Sequence, residues 1–442
     1  MKSFFIWNRA PALQIALPYL CGTLFSLCSA WALMPLPFLI ATRAKSTPLF
    51  VFLFLLPLFV TQNFYKKVEE GTFRIQSIHY NYSWIYRGKL GGNNCTISVK
   101  EPLNASHHYH VVGSWKSNTS FKPTTLEPIE RSFSLANWRY ESKQAVIQKI
   151  HRLFAHKRSA TFIAGLLTGE LEDLEMRLAF SDLGLLHLLA ISGFHFGILV
   201  FLLHHVLSHI LPRKIEIVVL MVLMTLYALF IGNTPSLLRA WIFMMVYLGG
   251  ELLEKKPYAL NTLGVALFVA LLIDPYSSLT VGFQLSFMAT AGLLIFMRPI
   301  EQALCYLLPK PTLFEVTRHN YLIQAGYLLT AFFRELAALT LGVNIALLPL
   351  LLYHFHTFSP IGLIYNLFFP FLTSVALALL PLFPIADYFT EAILGLTEHS
   401  YGALYIEQMP LWLMTSLVTL IGIIGLCIEE WRSFLHRRSL GF

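Results

Sequence analysis

Between Leu185 and Leu211 the chain carries no Asp, Glu, Lys or Arg, and further apolar runs follow at about 215–232, 235–253, 258–273, 279–297, 336–353, 359–384 and 409–428. Such runs suit helices that cross a hydrocarbon core, which takes about 20 apolar residues each. Hydrocarbon offers no water to backbone N–H and C=O groups, so a crossing segment must pair its own polar groups as a helix. One soluble globule is excluded on the same ground: 56% of the residues are hydrophobic and 13% charged, whereas soluble domains are about 25% charged. With a mean hydropathy of +0.62, the expected fold is a polytopic α-helical membrane protein of about 10–12 transmembrane helices, with a small all-β domain inserted.

Lysines and arginines orient it. Residues 1–65 read as N-terminal transmembrane helices at roughly 12–29, 30–42 and 48–64, the middle one short and broken by Pro35 and Pro37. Apolar character persists through Ala41, too far for a cleaved signal peptide. Lys2 and Arg9 precede the first crossing, and Arg43 and Lys45 follow the second, so both basic sets are cytoplasmic and the region after residue 65 lies outside. Later, Arg213 with Lys214, Lys255 with Lys256, and Lys310 with Arg318 fall on alternate loops, while the links near Asn233 and Asp274 carry no basic residue. A cytoplasmic tail at 431–442, with Arg432, Arg437 and Arg438, requires one more crossing or re-entrant piece, in 321–333 or in 386–404. The pattern leaves both open.

Residues 66–136 break the membrane pattern. Short alternating runs such as TFRIQSIHY, SWIYRGKL, CTISVK and HYHVVGSWK, separated by turns including GGNN, predict a barrel of OB type. Between 66 and 140 ten Lys/Arg face five Asp/Glu. Cations interleaved with rings suit single-stranded nucleic acid. The candidate contacts are Arg74, Tyr82, Trp84, Tyr86, Arg87, Lys89, Trp115 and Lys116, and barrel core is the competing use of the rings. The sequons at Asn81, Asn94, Asn104 and Asn118 would suggest glycosylation in a eukaryotic secretory protein and are incidental if the chain is bacterial. The connector at 137–184 opens with an amphipathic interfacial helix over 137–160, whose basic side includes Lys143 and whose apolar side includes Val146, Ile150 and Leu153. Glu170, Glu172, Asp173 and Glu175 then cluster as a metal site or an acidic helix start. The five cysteines, at 21, 28, 95, 305 and 427, form neither a disulfide framework nor a zinc pattern.

Within the expected channel domain at 185–430, polar groups stand out because hydrocarbon penalises them unless they have work to do. His187, Ser192 and His195 sit in LLHLLAISGFHFG, with Gly193 and Gly197 four apart on one helix face. Arg239 follows NTPSLL, Asp274 opens DPYSSLTVGFQLSFMATAG with Gln284, Ser286 and Thr290, and Asn344 lies in LGVNIALLPLLLYHFH. Arg239 reads as a phosphate contact or as a snorkelling interfacial arginine. Gln284, Ser286 and Thr290 either line a path or pin two helices. His205 and His209 have the spacing of a metal pair but precede Pro212 at a membrane edge, where a wet face is the commoner reading.

Taken together, HLLAISGFHFG, NTPSLLRA, DPYSSLTVGFQLSFMATAG and the 341–366 stretch resemble the membrane domain of the ComEC DNA-internalisation family, over about 160–370, with Phe194 where that family usually has Leu. The resemblance implies a channel that moves single-stranded DNA across the bacterial cytoplasmic (inner) membrane, with an OB-like domain outside. The implied partners are single-stranded DNA, membrane lipid, and separate DNA-receptor, nuclease and cytoplasmic helicase or DNA-binding proteins. Many members add a metallo-β-lactamase-type domain. Its HxHxDH signature is missing here, since His354 and His356 are followed by Thr357, Phe358 and Ser359, so a short form without nuclease activity is expected. No Walker A motif occurs, and no cofactor, metal or catalytic residue is expected. The competing functions are a small-solute carrier and an intramembrane hydrolase using Ser192 with His195.

Overall fold

The computed structural model describes residues 10–27, 35, 55, 68–81, 83–91, 93–104, 107–116, 120–131, 134–171, 173–189, 193–232, 235–255, 258–310, 320–397 and 404–439. The predicted crossings at 30–42 and 48–64 fall outside them but for single positions.

The β segment is a closed barrel. Strands β1 (Glu70–Asn81), β2 (Ser83–Leu90), β3 (Asn93–Val99), β4 (His107–Trp115) and β5 (Ser120–Arg131) run in the order β1-β2-β3-β5-β4, and β4 pairs back onto β1. Only the β3–β5 contact is parallel. This is the OB arrangement. Period-two alternation builds it: along β2, Tyr86, Gly88 and Leu90 point inward, while Arg87 and Lys89 face outward. Curvature comes from two glycines beside register shifts. A Cβ on Gly88 would stand 2.0 Å from the Arg74 carbonyl oxygen, and one on Gly113 2.1 Å from that of Lys122, so at both places only glycine lets the strands close on each other.

The connector holds α2 (Leu135–Leu153), α3 (Lys157–Thr168) and α4 (Leu174–Asp182). The predicted 137–160 helix is therefore two helices, split at Phe154 to His156. Ile150 is buried and Val146 packs beside it, but Leu153, on the same predicted apolar side, is exposed. Lys143 is a correction. It is 7% exposed and turned inward, its Nζ donating to Glu170 Oε1 at 2.8 Å, while His79 of β1 hydrogen-bonds Glu170 Oε2 at 3.0 Å. The acidic cluster is split as well, because Asp173 caps α4 by accepting from the Met176 N–H at 3.0 Å.

The remainder is helical. Pro11–Leu27 (α1) precedes the barrel, and after the connector come α5 (Leu186–Leu189), α6 (Gly193–Leu207), α7 (Arg213–Ile231), α8 (Pro235–Leu252), α9 (Ala259–Ile273), α10 (Val281–Leu304), α11 (Tyr321–Phe355), α12 (Pro360–Ala378), α13 (Phe383–Gly395) and α14 (Leu411–Ser439). Among the described residues α7, α10, α11, α12 and 411–432 of α14 are long and apolar enough to cross a membrane, and shorter apolar helices lie at 11–21, 195–207 and 259–273. The chain is a multi-pass membrane protein carrying an OB-like barrel. At 35 residues and about 1.5 Å per residue, α11 outruns a bilayer core. Residues 321–333 are its extension, not a crossing of their own, and the separate element in the other region is α13.

Small residues set how closely the helices pack, since lipid removes the hydrophobic drive between them. A Cβ on Gly264 of α9 would meet the Leu13 backbone nitrogen of α1 at 2.1 Å, and one on Gly292 of α10 would meet Ala346 Cβ of α11 at 2.6 Å. The Ala12 N–H also donates to Asn261 Oδ1 at 2.8 Å.

Candidate nucleic-acid path

Helix α8 begins at Pro235, whose fixed φ and missing N–H suit a first helical position, and Arg239 follows one turn later. Its side chain packs between helices. Nε donates to Ser286 Oγ of α10 at 2.7 Å, the guanidinium carbon sits 6.0 Å from the Phe287 ring centroid, and a Cβ on Gly193 of α6 would stand 2.8 Å from Nη2. The missing side chain at Gly193 thus makes room for a guanidinium. Three motif stretches separated in sequence meet at this arginine. The Arg239 hydrogen bond goes to a neutral hydroxyl, and among the described residues no carboxylate pairs with it.

Two residues before Ser286 on α10, Gln284 bridges a turn and a helix. Its Nε2 donates to the Ser278 carbonyl at 3.0 Å and its Oε1 accepts from His354 Nε2 of α11 at 2.8 Å. Sequence reasoning weighed His354 only as part of an absent metal signature. Its signal was available: two histidines end a 35-residue apolar helix, where a polar side chain needs a partner.

Other candidates are used locally. Thr290 Oγ1 donates to the Ser286 carbonyl at 3.0 Å and Asn344 Nδ2 to the Thr340 carbonyl at 2.9 Å, both within their own helices. Asp274 Oδ1 caps the short turn Pro275–Leu279 by accepting from the Tyr276 N–H at 3.1 Å, a structural duty. His195 is 1% exposed, and His187 is exposed on α5. Ser192 lies outside the described residues. Gly197 differs from Gly193: nothing stands within 4 Å of where its Cβ would be. It borders an apolar cavity with Phe201 and Val375, so the expectation of one shared close-packing face fails for this position. His209 Nδ1 donates to the His205 carbonyl at 2.6 Å, and both histidines are exposed. Among the described residues no three His, Cys, Asp or Glu side chains are grouped to hold a metal.

On the barrel, Arg74, Arg87, Lys89 and Lys116 are exposed, and Arg74 lies directly across the β1–β2 ladder from Lys89. The rings are mostly elsewhere. Tyr86 is 1% exposed in the barrel core, its hydroxyl accepting from the Leu103 N–H at 2.7 Å, so it offers no face to a base. Trp115 donates to the Val68 carbonyl at 2.9 Å and packs edge-on to Phe121, and Trp84 packs against Tyr140 of α2. Tyr82 lies outside the described residues. The barrel surface is cationic, with its aromatics largely committed to packing.

Residues 166–431, more than half of the chain, match the family model described as Competence protein. Over 201 residues the chain is 32% identical to ComE operon protein 3 of Bacillus subtilis (strain 168), an alignment covering 45% of this chain and 23% of that protein. The match thus spans less than a quarter of that relative's length. No solved structure matches. The family match takes in Gly193, Arg239, Gln284, Ser286 and His354 and leaves the barrel outside it. On that match, the chain belongs to the competence protein family.

Proposed function

We propose that the chain serves DNA uptake during natural competence, as a channel-like permease that passes one DNA strand across the cytoplasmic membrane. The observation that carries this reading is Arg239, held between α6, α8 and α10 by a neutral hydroxyl and given room by Gly193. A single strand brings one phosphate per nucleotide past any point, so its path needs a few cations and hydrogen-bonding groups that bind without trapping. A guanidinium with a hydroxyl partner exchanges one hydrogen bond when it turns to a phosphate, whereas one paired to a carboxylate would first have to break an ion pair. Gln284 of the same helix α10, with His354 of α11, would add exchangeable hydrogen bonds.

The basic barrel would receive DNA outside the cytoplasm. Its placement at the end of the helices that carries the 232–235 link, which lacks basic residues, fits that orientation. Receptor, nuclease and helicase activities would belong to separate proteins, with lipid around the helices. No catalytic role is assigned to Ser192 or His195.

The test is DNA internalisation in cells that carry single substitutions, with membrane abundance checked by immunoblot. Arg239→Gln should cut transformation sharply at normal abundance, and Arg239→Lys should keep part of it, since charge survives but fork geometry does not. Ser192→Ala should transform nearly normally. A fully inactive Ser192→Ala beside a healthy Arg239→Gln would replace the channel with the hydrolase reading.

A further inference from the structure

Between the barrel and the α7–α8 hairpin lies a cavity of about 510 Å³, lined by Arg74 and His108 of the barrel, Arg139 of α2, and Thr225, Gly232 and Trp241 of the hairpin. That volume falls within the roughly 300–1,000 Å³ of ligand sites. Arg139 ties the three parts together, with Nε donating to the Leu229 carbonyl and Nη1 to the Gln76 carbonyl at 3.3 Å. Both partners are neutral, and a guanidinium has five N–H groups. Among the described residues no carboxylate pairs with Arg139 or Arg74, so the cavity holds positive charge that its own walls do not cancel. Trp241 is fixed there by donating from its indole N–H to Thr225 Oγ1 at 3.1 Å.

We propose that this junction is a second binding site for the DNA strand, seating a phosphodiester on Arg74 and Arg139 and a base against Trp241. The proposal rests on the reading that the chain carries single-stranded DNA. It places base contact at the junction, because Tyr86 is spent in the barrel core while the outer face keeps charge without free rings. Cations plus a fixed aromatic ring are the two parts a nucleotide needs. A lipid headgroup shares the phosphodiester but has no base for the ring. Leu237, Leu238 and Trp241 of α8 face this cavity, whereas Arg239 faces α6 and α10, so the two cationic sites lie on opposite sides of one helix.

The experiment uses the full chain in nanodiscs of zwitterionic lipid, titrated with a short fluorescent oligothymidylate across a salt series. Losing one phosphate contact on a single strand should lower the log–log salt slope by about 0.7, and so weaken binding about fourfold at about 0.15 M salt. Arg74→Gln and Arg139→Gln should each do this, and Arg139→Lys should restore most of the slope. Arg139→Gln also removes two links to backbone carbonyls and could loosen the junction. Arg74, exposed on β1, makes the same test without that cost. Unchanged affinity and slope in both Gln variants would overturn the site while leaving the uptake reading intact. Absence of binding by the unaltered chain would overturn both. If the variants instead lose phosphatidylglycerol in native mass spectrometry with oligonucleotide binding unchanged, the cavity is a headgroup site and the proposal fails.

Discussion

Gly193 and Gly197 are four residues apart on α6 and look alike in sequence, yet the structure expects opposite outcomes from enlarging them. At Gly193 a new Cβ would lie 2.8 Å from Arg239 Nη2 and 3.5 Å from Ala240 Cβ. Alanine asks the guanidinium to give by a few tenths of an ångström, which the end of a flexible side chain can do. Leucine fills the space outright. It displaces Arg239 from its 2.7 Å hydrogen bond with Ser286, a charge-assisted contact worth about 1.5–3 kcal/mol, and adds overpacking of about 1–3 kcal/mol. The hydrogen bond favours Arg239 in place and the overpacking opposes it, so the shift in that population is set by the overpacking, about 1–3 kcal/mol, which at about 1.4 kcal/mol per tenfold is about fivefold to a hundredfold. Gly197→Leu projects into open space, so its cost should be near zero and is offset by the helix propensity gained on replacing glycine, about 1 kcal/mol. Transformation frequency, normalised to membrane abundance, should therefore fall at least about fivefold for Gly193→Leu, less for Gly193→Ala, and little for Gly197→Leu. Equal defects at the two positions would refute the claim that Gly193 exists to house the arginine.

Two further outcomes concern how the parts are held together. Burial alone would raise the Glu170 carboxyl, but the His79 hydrogen bond and the Lys143 charge outweigh it and hold it below its ordinary range. The lowered value means that this contribution is present at neutral pH and is lost as pH falls through the acid range below about 4.3. Lys143→Met should cost up to about 3 kcal/mol, the low end for breaking a buried pair, because Glu170 keeps 18% side-chain exposure. The double variant with Glu170→Leu should recover most of that in thermal unfolding of the detergent-solubilised chain, and no recovery would disprove the pairing. Asp387 of α13 is 2% exposed, and its Oδ2 accepts from the Ala155 N–H at 2.8 Å and the His156 N–H at 3.2 Å, just before α3 begins. Asp387→Ala should destabilise by about 2–4 kcal/mol through lost capping and buried unpaired donors, and Asp387→Asn by clearly less, as read from the same unfolding midpoint.

Whatever depends on local periodicity was open to a reader of the sequence. Apolar runs of membrane length, period-two alternation over 70–131, and the end of one pattern where the next begins all follow from neighbouring residues, because helix and strand repeat every few positions. The polar stretches were legible as exceptions, since hydrocarbon makes each polar group costly. Pairing across the fold was not legible. Arg239 meets Ser286 from 47 residues away, Gln284 meets His354 across 70, and Asp387 caps a helix start 231 residues earlier, and no spacing rule encodes such distances. The same limit explains Tyr86 and Lys143. A tyrosine or a lysine on an alternating or amphipathic segment tells which neighbours share its face, but which face closes against another element is decided only when the barrel closes and Glu170 arrives beneath α2. The two α6 glycines make the point at its smallest scale: helical geometry alone puts them on one side, and only the position of α8 and its arginine leaves one filled and the other open.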